Sequence, residues 1–148
     1  MEYVLYDVKG TKFVPLIKEI DYIQNYIEIE KLRFENVEVT INLESNIEDV
    51  VVPPLIFISL VENAFKHGAQ SEISQGWVNI KGRTIKDRYA LLVENSTAPK
   101  VSVNKAGGIG LSNLRKRLDL IYQGKYQLDI VQEDSQYSVS LILTLSHA

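Results

Sequence analysis

Hydrophobic and polar residues follow two different periods along this chain, and these periods predict its elements. Apolar residues at steps of three, four and seven predict a helix over residues 15–34, with its stripe at Leu16, Ile20, Ile23, Ile27 and Phe34. Strict alternation over residues 37–43 then predicts a strand with one face in water. Pro53 and Pro54 end this region and start a second helix, which runs to Gly68 as its C-terminal cap.

The second half of the chain repeats the two periods. Residues 77–83 and 89–93 are predicted strands joined by a polar turn, and a loop over 96–110 follows. A third helical stripe (Leu111, Leu114, Leu118 and Ile121) precedes Gly124, which suits a left-handed cap. Residues 126–130 and 137–145 alternate as two final strands. The order helix, strand, helix, two strands, helix, two strands predicts an α+β sandwich with the helices on one face of a sheet.

Composition narrows the class of protein. The chain has 148 residues, 45% of them hydrophobic, with a formal net charge of -3 and no cysteine. These values predict one globular domain and exclude a disordered chain, a disulfide scaffold and thiolate metal sites. The slightly acidic balance argues against a nucleic-acid binder. No apolar run approaches the roughly 18 residues that span a bilayer, so we expect a cytoplasmic domain without direct membrane insertion.

The second predicted helix carries polar side chains along one arc: Ser59, Glu62, Asn63, Lys66, His67 and Gln70. An ordinary amphipathic surface helix is one interpretation. However, asparagine is a poor residue for a helix interior, so its place in the middle of this helix suggests a role beyond propensity. Downstream, residues 107–111 read Gly-Gly-Ile-Gly-Leu and open directly into a helix. Backbone N–H groups at such a start can bind phosphate oxygens.

Three segments resemble sensor histidine kinases of the LytS type. Residues 53–68 resemble the N box of these kinases, residues 108–118 resemble their second glycine box, and residues 14–34 resemble the segment that joins the phospho-acceptor region to the ATP domain. The resemblance implies the Bergerat ATP-binding fold, a two-layer α/β sandwich with a mixed, mostly antiparallel sheet and about three helices on one face. It also divides the chain into a remnant of the preceding segment, residues 1–13, and a catalytic domain, residues 14–148.

The resemblance implies roles for four residues of the second helix. Asn63 would offer its amide oxygen to Mg²⁺, a cation that prefers oxygen ligands. Lys66 would reach the phosphates of ATP as a point charge. His67 would lie near the nucleotide or, alternatively, cap the end of its helix. Glu62 would orient or polarise an attacking imidazole, or else simply face solvent.

The glycine-rich segment has its own implied roles. Gly108 and Gly110 would let the lid approach the phosphates, and the start of the helix at Leu111 would face them. Arg115 and Arg117 either support the phosphates or form a solvated basic face, and the second interpretation is favoured.

The sequence departs from the family pattern in several places. Its two histidines are His67 and His147, and neither matches the phospho-acceptor, which the resemblance places upstream. Ser59 stands where the ATPases that share this fold carry a catalytic glutamate, so efficient ATP hydrolysis is not expected. The first glycine box reads Asn-Ser-Thr-Ala-Pro from Asn95, without its aspartate and glycines, and the lid over 97–106 is short. Asn95 would then contact adenine, or merely satisfy its own loop.

Together these features predict the ATP- and Mg²⁺-binding catalytic domain of a sensor histidine kinase. Its expected partners are the phospho-acceptor and dimerisation helices of its own parent protein and a response regulator. The parent would be a homodimeric inner-membrane sensor. A nucleotide-sensing or docking module of the same fold, without kinase activity, is the alternative. A serine kinase of the anti-sigma type is a third possibility, against which the segment over 14–34 argues.

Overall fold

The computed structural model describes residues 5–6, 12–44, 49–66, 76–97 and 108–147. None of its helices in those ranges is long and apolar enough to cross a membrane. The elements in chain order are β1 (Leu5–Tyr6), β2 (Lys12–Pro15), α1 (Leu16–Arg33), β3 (Val37–Leu43), β4 (Val50–Val52), α2 (Phe57–Ala64), β5 (Gly76–Ile85), β6 (Arg88–Ser96), α3 (Gly108–Ile121), β7 (Tyr126–Gln132), β8 (Gln136–Thr144) and β9 (Ser146–His147).

The main sheet has five strands in the order β3-β5-β6-β8-β7. Strand β3 runs parallel to β5, with Val39 opposite Val78, and each of the other neighbouring pairs is antiparallel. The predicted mixed, mostly antiparallel sheet is therefore confirmed. The parallel pair needs a long crossover, which α2 supplies between β3 and β5.

One face of this sheet packs against the three helices. Alternate residues of the central strands are buried there: Val78, Ile80, Tyr89, Leu91, Val93, Val139, Leu141 and Leu143. The helices contribute the predicted stripes, among them Leu16, Ile20, Ile23, Ile27, Leu111, Leu114 and Leu118. The intervening strand residues are half-buried or exposed, which is the period-two pattern of a sheet with one covered face. The predicted sandwich is confirmed.

A second, smaller sheet in the order β1-β2-β4-β9 was not predicted. The hydrophobic pattern predicts no element before Pro15, whereas residues 12–15 pair with β4 through Val14 and Val52. Its strands have two to four residues, too short to display a period. Strand β4 is buried at all three positions, so it shows no alternation at all.

Two predicted helix boundaries were wrong. Helix α2 begins at Phe57 rather than Pro54, because Leu55 has a φ of 60° and interrupts any helix that starts at the prolines. The proposed cap at Gly68 lies outside the described residues. Helix α3 begins at Gly108, before the predicted start at Leu111, so the end of the glycine-rich segment is its first turn. Gly124 has a φ of 78°, which confirms the left-handed cap.

Candidate functional site

Asn63 lies on α2 and is buried, with 9% of its surface exposed. Its Nδ2 is buried and has no hydrogen-bond partner among the described residues. The helical wheel placed Asn63 on the outer polar arc, but α2 is flanked by α1, α3 and β6, which cover more of its circumference than one stripe. An unpaired buried amide is unfavourable by about 1–3 kcal/mol. An unsatisfied buried group of this kind calls for an explanation, and a ligand that accepts its hydrogen bond is one.

Asn95 lies near the C-terminal end of β6 and is 1% exposed. Its Nδ2 donates a hydrogen bond to the backbone oxygen of Ser96 at 2.9 Å. The amide therefore satisfies its own loop, as the alternative interpretation stated, and Oδ1 is the atom left to accept a further bond. Helix α2 packs against β6, and Phe57 meets Tyr89 with ring centroids 5.6 Å apart near the N-terminal ends of both elements. Asn63 and Asn95 both lie toward the opposite, C-terminal ends.

The charged residues of α2 point outward. Glu62 and Lys66 are exposed, in agreement with the predicted polar arc, and His67 lies outside the described residues. Burial raises the pKa of the Tyr26 phenol on α1, a hydrogen bond and charge from Glu30 raise it further, and the charge of Glu62 adds to this shift. The Tyr26 phenol is therefore harder to ionise than an ordinary tyrosine.

Ser59 occupies the position one turn before Asn63. It is half-buried, and its Oγ lies 3.4 Å from the backbone oxygen of Leu55, to which it donates a hydrogen bond. The hydroxyl is thus used inside its own helix. Its pKa is far too high for a general base at neutral pH, so this position supplies no carboxylate to activate water.

The start of α3 leaves room for a ligand at its glycines. Gly108 is the first residue of the helix, and Gly110 is exposed. Within the described ranges, a Cβ added at Gly110 would meet no heavy atom within 4 Å. The Leu111 side chain is 2% exposed and belongs to the core, so only its backbone is available to a ligand. The first turn of a helix has N–H groups without intrahelical partners, which favour an anion.

Only one of the two arginines of α3 lies on the solvated basic face that the sequence predicts. Arg115 is exposed, but Arg117 is half-buried, and its guanidinium donates to the Pro54 backbone oxygen at 2.6 Å. Next to this bond, the Glu19 carboxylate from α1 accepts the Leu55 N–H with both oxygens, each 3.0 Å away. We call this cluster of Glu19, the 54–56 turn and Arg117 the turn network.

The turn network is electrostatically coupled. Burial raises the pKa of the Glu19 carboxyl, while the Leu55 N–H and then the Arg117 charge oppose that rise. Burial also lowers the pKa of Arg117, and Glu19 counteracts this effect. Sequence analysis missed both roles. The available signal was Glu19 itself, a carboxylate three residues after Leu16 and four before Ile23 on the buried stripe of α1.

Comparisons with known proteins agree with this fold. A family model described as histidine kinase matches residues 1–37. The chain is 29% identical to the sensor histidine kinase BtsS of Escherichia coli, covering 88% of this chain and 23% of BtsS. It is 28% identical to the sensor protein LytS of Oceanobacillus iheyensis, covering 92% of this chain and 26% of LytS.

Solved structures of histidine kinases share this fold. The catalytic domain of histidine kinase ThkA matches with a TM-score of 0.62 and 19% identity, covering 89% of this chain and 93% of that chain. Full-length ShkA, solved in complex with AMPPNP, matches with a TM-score of 0.62 and 15% identity, covering 100% of this chain and 32% of that chain.

The fold is that of histidine kinase catalytic domains, and the chain is similar in sequence to LytS-type sensor histidine kinases. The resemblance seen in the sequence is thereby confirmed. The chain spans about a quarter of the length of these two curated sensor kinases.

The turn network predicts a pH dependence of stability. Because the pKa of Glu19 is raised in the folded protein, the native state holds this proton more tightly than the unfolded chain does. The free energy of unfolding then falls as pH rises above the ordinary glutamate pKa, until the raised pKa has been passed. Glu19→Gln removes this titration, so urea unfolding from pH 4 to 8 is expected to show the variant gaining stability relative to wild type as pH rises. A constant difference, or one of opposite slope, would contradict this assignment.

Proposed function

We propose that this chain is the ATP-binding catalytic part of a two-component sensor histidine kinase. It would transfer the γ-phosphoryl group of Mg–ATP to a histidine that lies outside this chain. The observation that carries the proposal is the buried Asn63 side chain, whose Nδ2 has no hydrogen-bond partner among the described residues, on a helix that packs against both β6 and the glycine-start helix α3. The similarity to LytS and BtsS supports the kinase class, and the AMPPNP complex of ShkA supports a nucleotide ligand for this fold.

The residues present fit Mg²⁺ and a nucleotide. The buried Asn63 side chain carries an amide oxygen, and among the described residues a Cβ at Gly110 would meet no heavy atom within 4 Å. When bound, Mg²⁺ would neutralise phosphate charge, and its preference for oxygen ligands suits the amide of Asn63. Exposed Lys66 would add a point charge toward the phosphates, and the backbone at Gly108 and Gly110 would hold their oxygens. His67 is retained as a nucleotide-side residue of this proposal.

Transfer would then depend on positioning and charge rather than on a covalent enzyme intermediate. Exposed Glu62 would orient the attacking imidazole of the acceptor. Ser59 gives water no general base, so transfer to histidine would be favoured over hydrolysis. The acceptor would belong to the phospho-acceptor and dimerisation helices of a homodimeric parent, which would pass the phosphate to a response regulator.

One observation favours the alternative of a non-catalytic nucleotide-sensing or docking module. The Nδ2 of Asn95 is used by the Ser96 backbone, so the altered first glycine box presents one acceptor and no carboxylate to adenine. We propose that Oδ1 of Asn95 accepts a hydrogen bond from the exocyclic amine of adenine. If Asn95 does not make this contact either, the first glycine box holds no adenine, and the chain is the non-catalytic docking module.

Asn63→Ala is expected to abolish the Mg²⁺ dependence of nucleotide binding. Calorimetric titration of wild type with ADP and ATP, with and without Mg²⁺, should give a Kd in the micromolar to millimolar range, about 4–8 kcal/mol of binding free energy. The variant should fold normally, because it removes a buried Nδ2 that has no hydrogen-bond partner among the described residues.

Asn25→Ala is the matched control, since Asn25 is an exposed asparagine on α1, outside the proposed nucleotide site. It should bind as wild type does. No heat with either nucleotide in wild type, or an unchanged Mg²⁺ effect in Asn63→Ala, would favour the docking module.

Asn95→Leu should weaken ATP by about 0.5–1.5 kcal/mol, the net contribution of one neutral hydrogen bond. Asn79→Leu is the control, because it also removes one side-chain hydrogen bond, from Asn79 to Glu94. Asn79 alternates with buried Val78 and Ile80, so its side chain lies on the face of the sheet away from the helices. ATP titration of both folded variants checks the difference. Equal affinities for Asn95→Leu and wild type would remove Asn95 from the adenine contact.

A further inference from the structure

The turn network joins all three helices at one point. Glu19 comes from α1, Arg117 comes from α3, and both bind the backbone of the turn that leads into α2. Glu19 is 5% exposed, so its carboxylate is removed from water and is held by a backbone N–H and a nearby cation. A buried charge in this setting is retained only while its partners stay in place.

The turn depends on these contacts because its backbone is strained. Leu55 has a φ of 60°, in the left-handed region that residues with a Cβ seldom adopt. Such a conformation persists only where the surroundings hold it. At Leu55 the holding groups are the Glu19 carboxylate on its N–H and the Arg117 guanidinium on the carbonyl of the preceding Pro54.

Rigid helices carry this constraint to the candidate site. Asn63 lies eight residues beyond Leu55 on α2, and Gly110 lies seven residues before Arg117 on α3, roughly 10 Å along the helix axis. Helices α2 and α3 also pack directly on one another. Fixing Arg117 to the base of α2 therefore sets the position of the glycine-rich first turn of α3 relative to Asn63.

We propose that Glu19 and Arg117 are positioning residues, which set Asn63 and the glycine turn of α3 at the separation that the nucleotide requires. This inference rests on the proposed function, because it concerns how the same site is held. In this proposal, neither Glu19 nor Arg117 contacts the nucleotide. Arg117 acts through the Pro54 carbonyl, and Glu19 acts through the Leu55 N–H.

The test separates positioning from stability. Four proteins are compared by urea unfolding and by calorimetric titration with Mg–ADP: wild type, Glu19→Gln, Arg117→Met and the double variant. Arg117→Met should lose stability, because it leaves the Glu19 carboxylate buried without its cation. It should also weaken Mg–ADP by about tenfold, within the range of coupling between contacting residues. Lys116→Met, which removes an exposed cation from the same helix, should change neither property.

The double variant decides the question. Glu19→Gln removes the buried charge, so stability should return when it is added to Arg117→Met. Affinity for Mg–ADP should stay low, because the Pro54 carbonyl still lacks its donor. If affinity returns together with stability, or if Arg117→Met binds as tightly as wild type, the positioning role is overturned. If Arg117→Met does not fold, the affinity for Mg–ADP is compared between the double variant and Glu19→Gln, which differ only at residue 117. A wild type that binds no Mg–ADP would instead refute the proposed function.

Discussion

The bond from the Leu55 N–H to the buried Glu19 carboxylate is the contact on which the arrangement of the helices depends. Removing a carboxylate from water is strongly unfavourable unless hydrogen bonds and an opposite charge compensate. Here the compensation comes from the Leu55 N–H and from the charge of Arg117, so residues from α1, α3 and the turn before α2 together stabilise the buried carboxylate. These contacts fix the turn, which ends at Ile56, and α2 begins at Phe57. The start of α2 in turn determines the direction in which Asn63 points.

The other end of α2 is held by aromatic packing. Phe65 meets Tyr26 edge-on at 6.0 Å between ring centroids and stacks on Phe34 at 6.4 Å, and both partners come from the C-terminal half of α1 or directly after it. Helix α2 is thus fixed by a polar network at its start and by ring contacts at its end. A short helix held at both ends can keep the unpaired Nδ2 of Asn63 buried, and the proposed function uses Oδ1 of the same side chain as a Mg²⁺ ligand.

Much of this architecture could be predicted from the sequence. Hydrophobic and polar residues alternate in β3, β5, β6, β7 and β8, because one face of the main sheet is covered and the other is open, so these strands could be predicted. The stripe of α1 was equally clear, because Leu16, Ile20, Ile23 and Ile27 are all buried. Asn63 was proposed as a site residue because it lies in the middle of the predicted helix, where asparagine conflicts with propensity. Gly110 was proposed because a glycine-rich segment opened directly into a helix, and both roles stay predictions.

The remaining features could not be predicted, because they depend on tertiary contacts. Strands of two to four residues show no period, so the second sheet was missed. The start of α2 was misplaced because the left-handed Leu55 is held by Glu19, 36 residues earlier in the chain. Arg117 resembled its exposed neighbours Arg115 and Lys116 in sequence, and only the packing of α3 on α2 turns it inward.

Phosphoryl transfer in trans tests the central claim most directly. The chain would be incubated with γ-labelled ATP, Mg²⁺ and a separate fragment that carries the acceptor histidine of the parent protein. Acid-labile label is predicted on that fragment, dependent on Asn63, with little phosphate released by the chain alone. Label on His67 or His147 of the chain itself, or brisk phosphate release without transfer, would contradict the account.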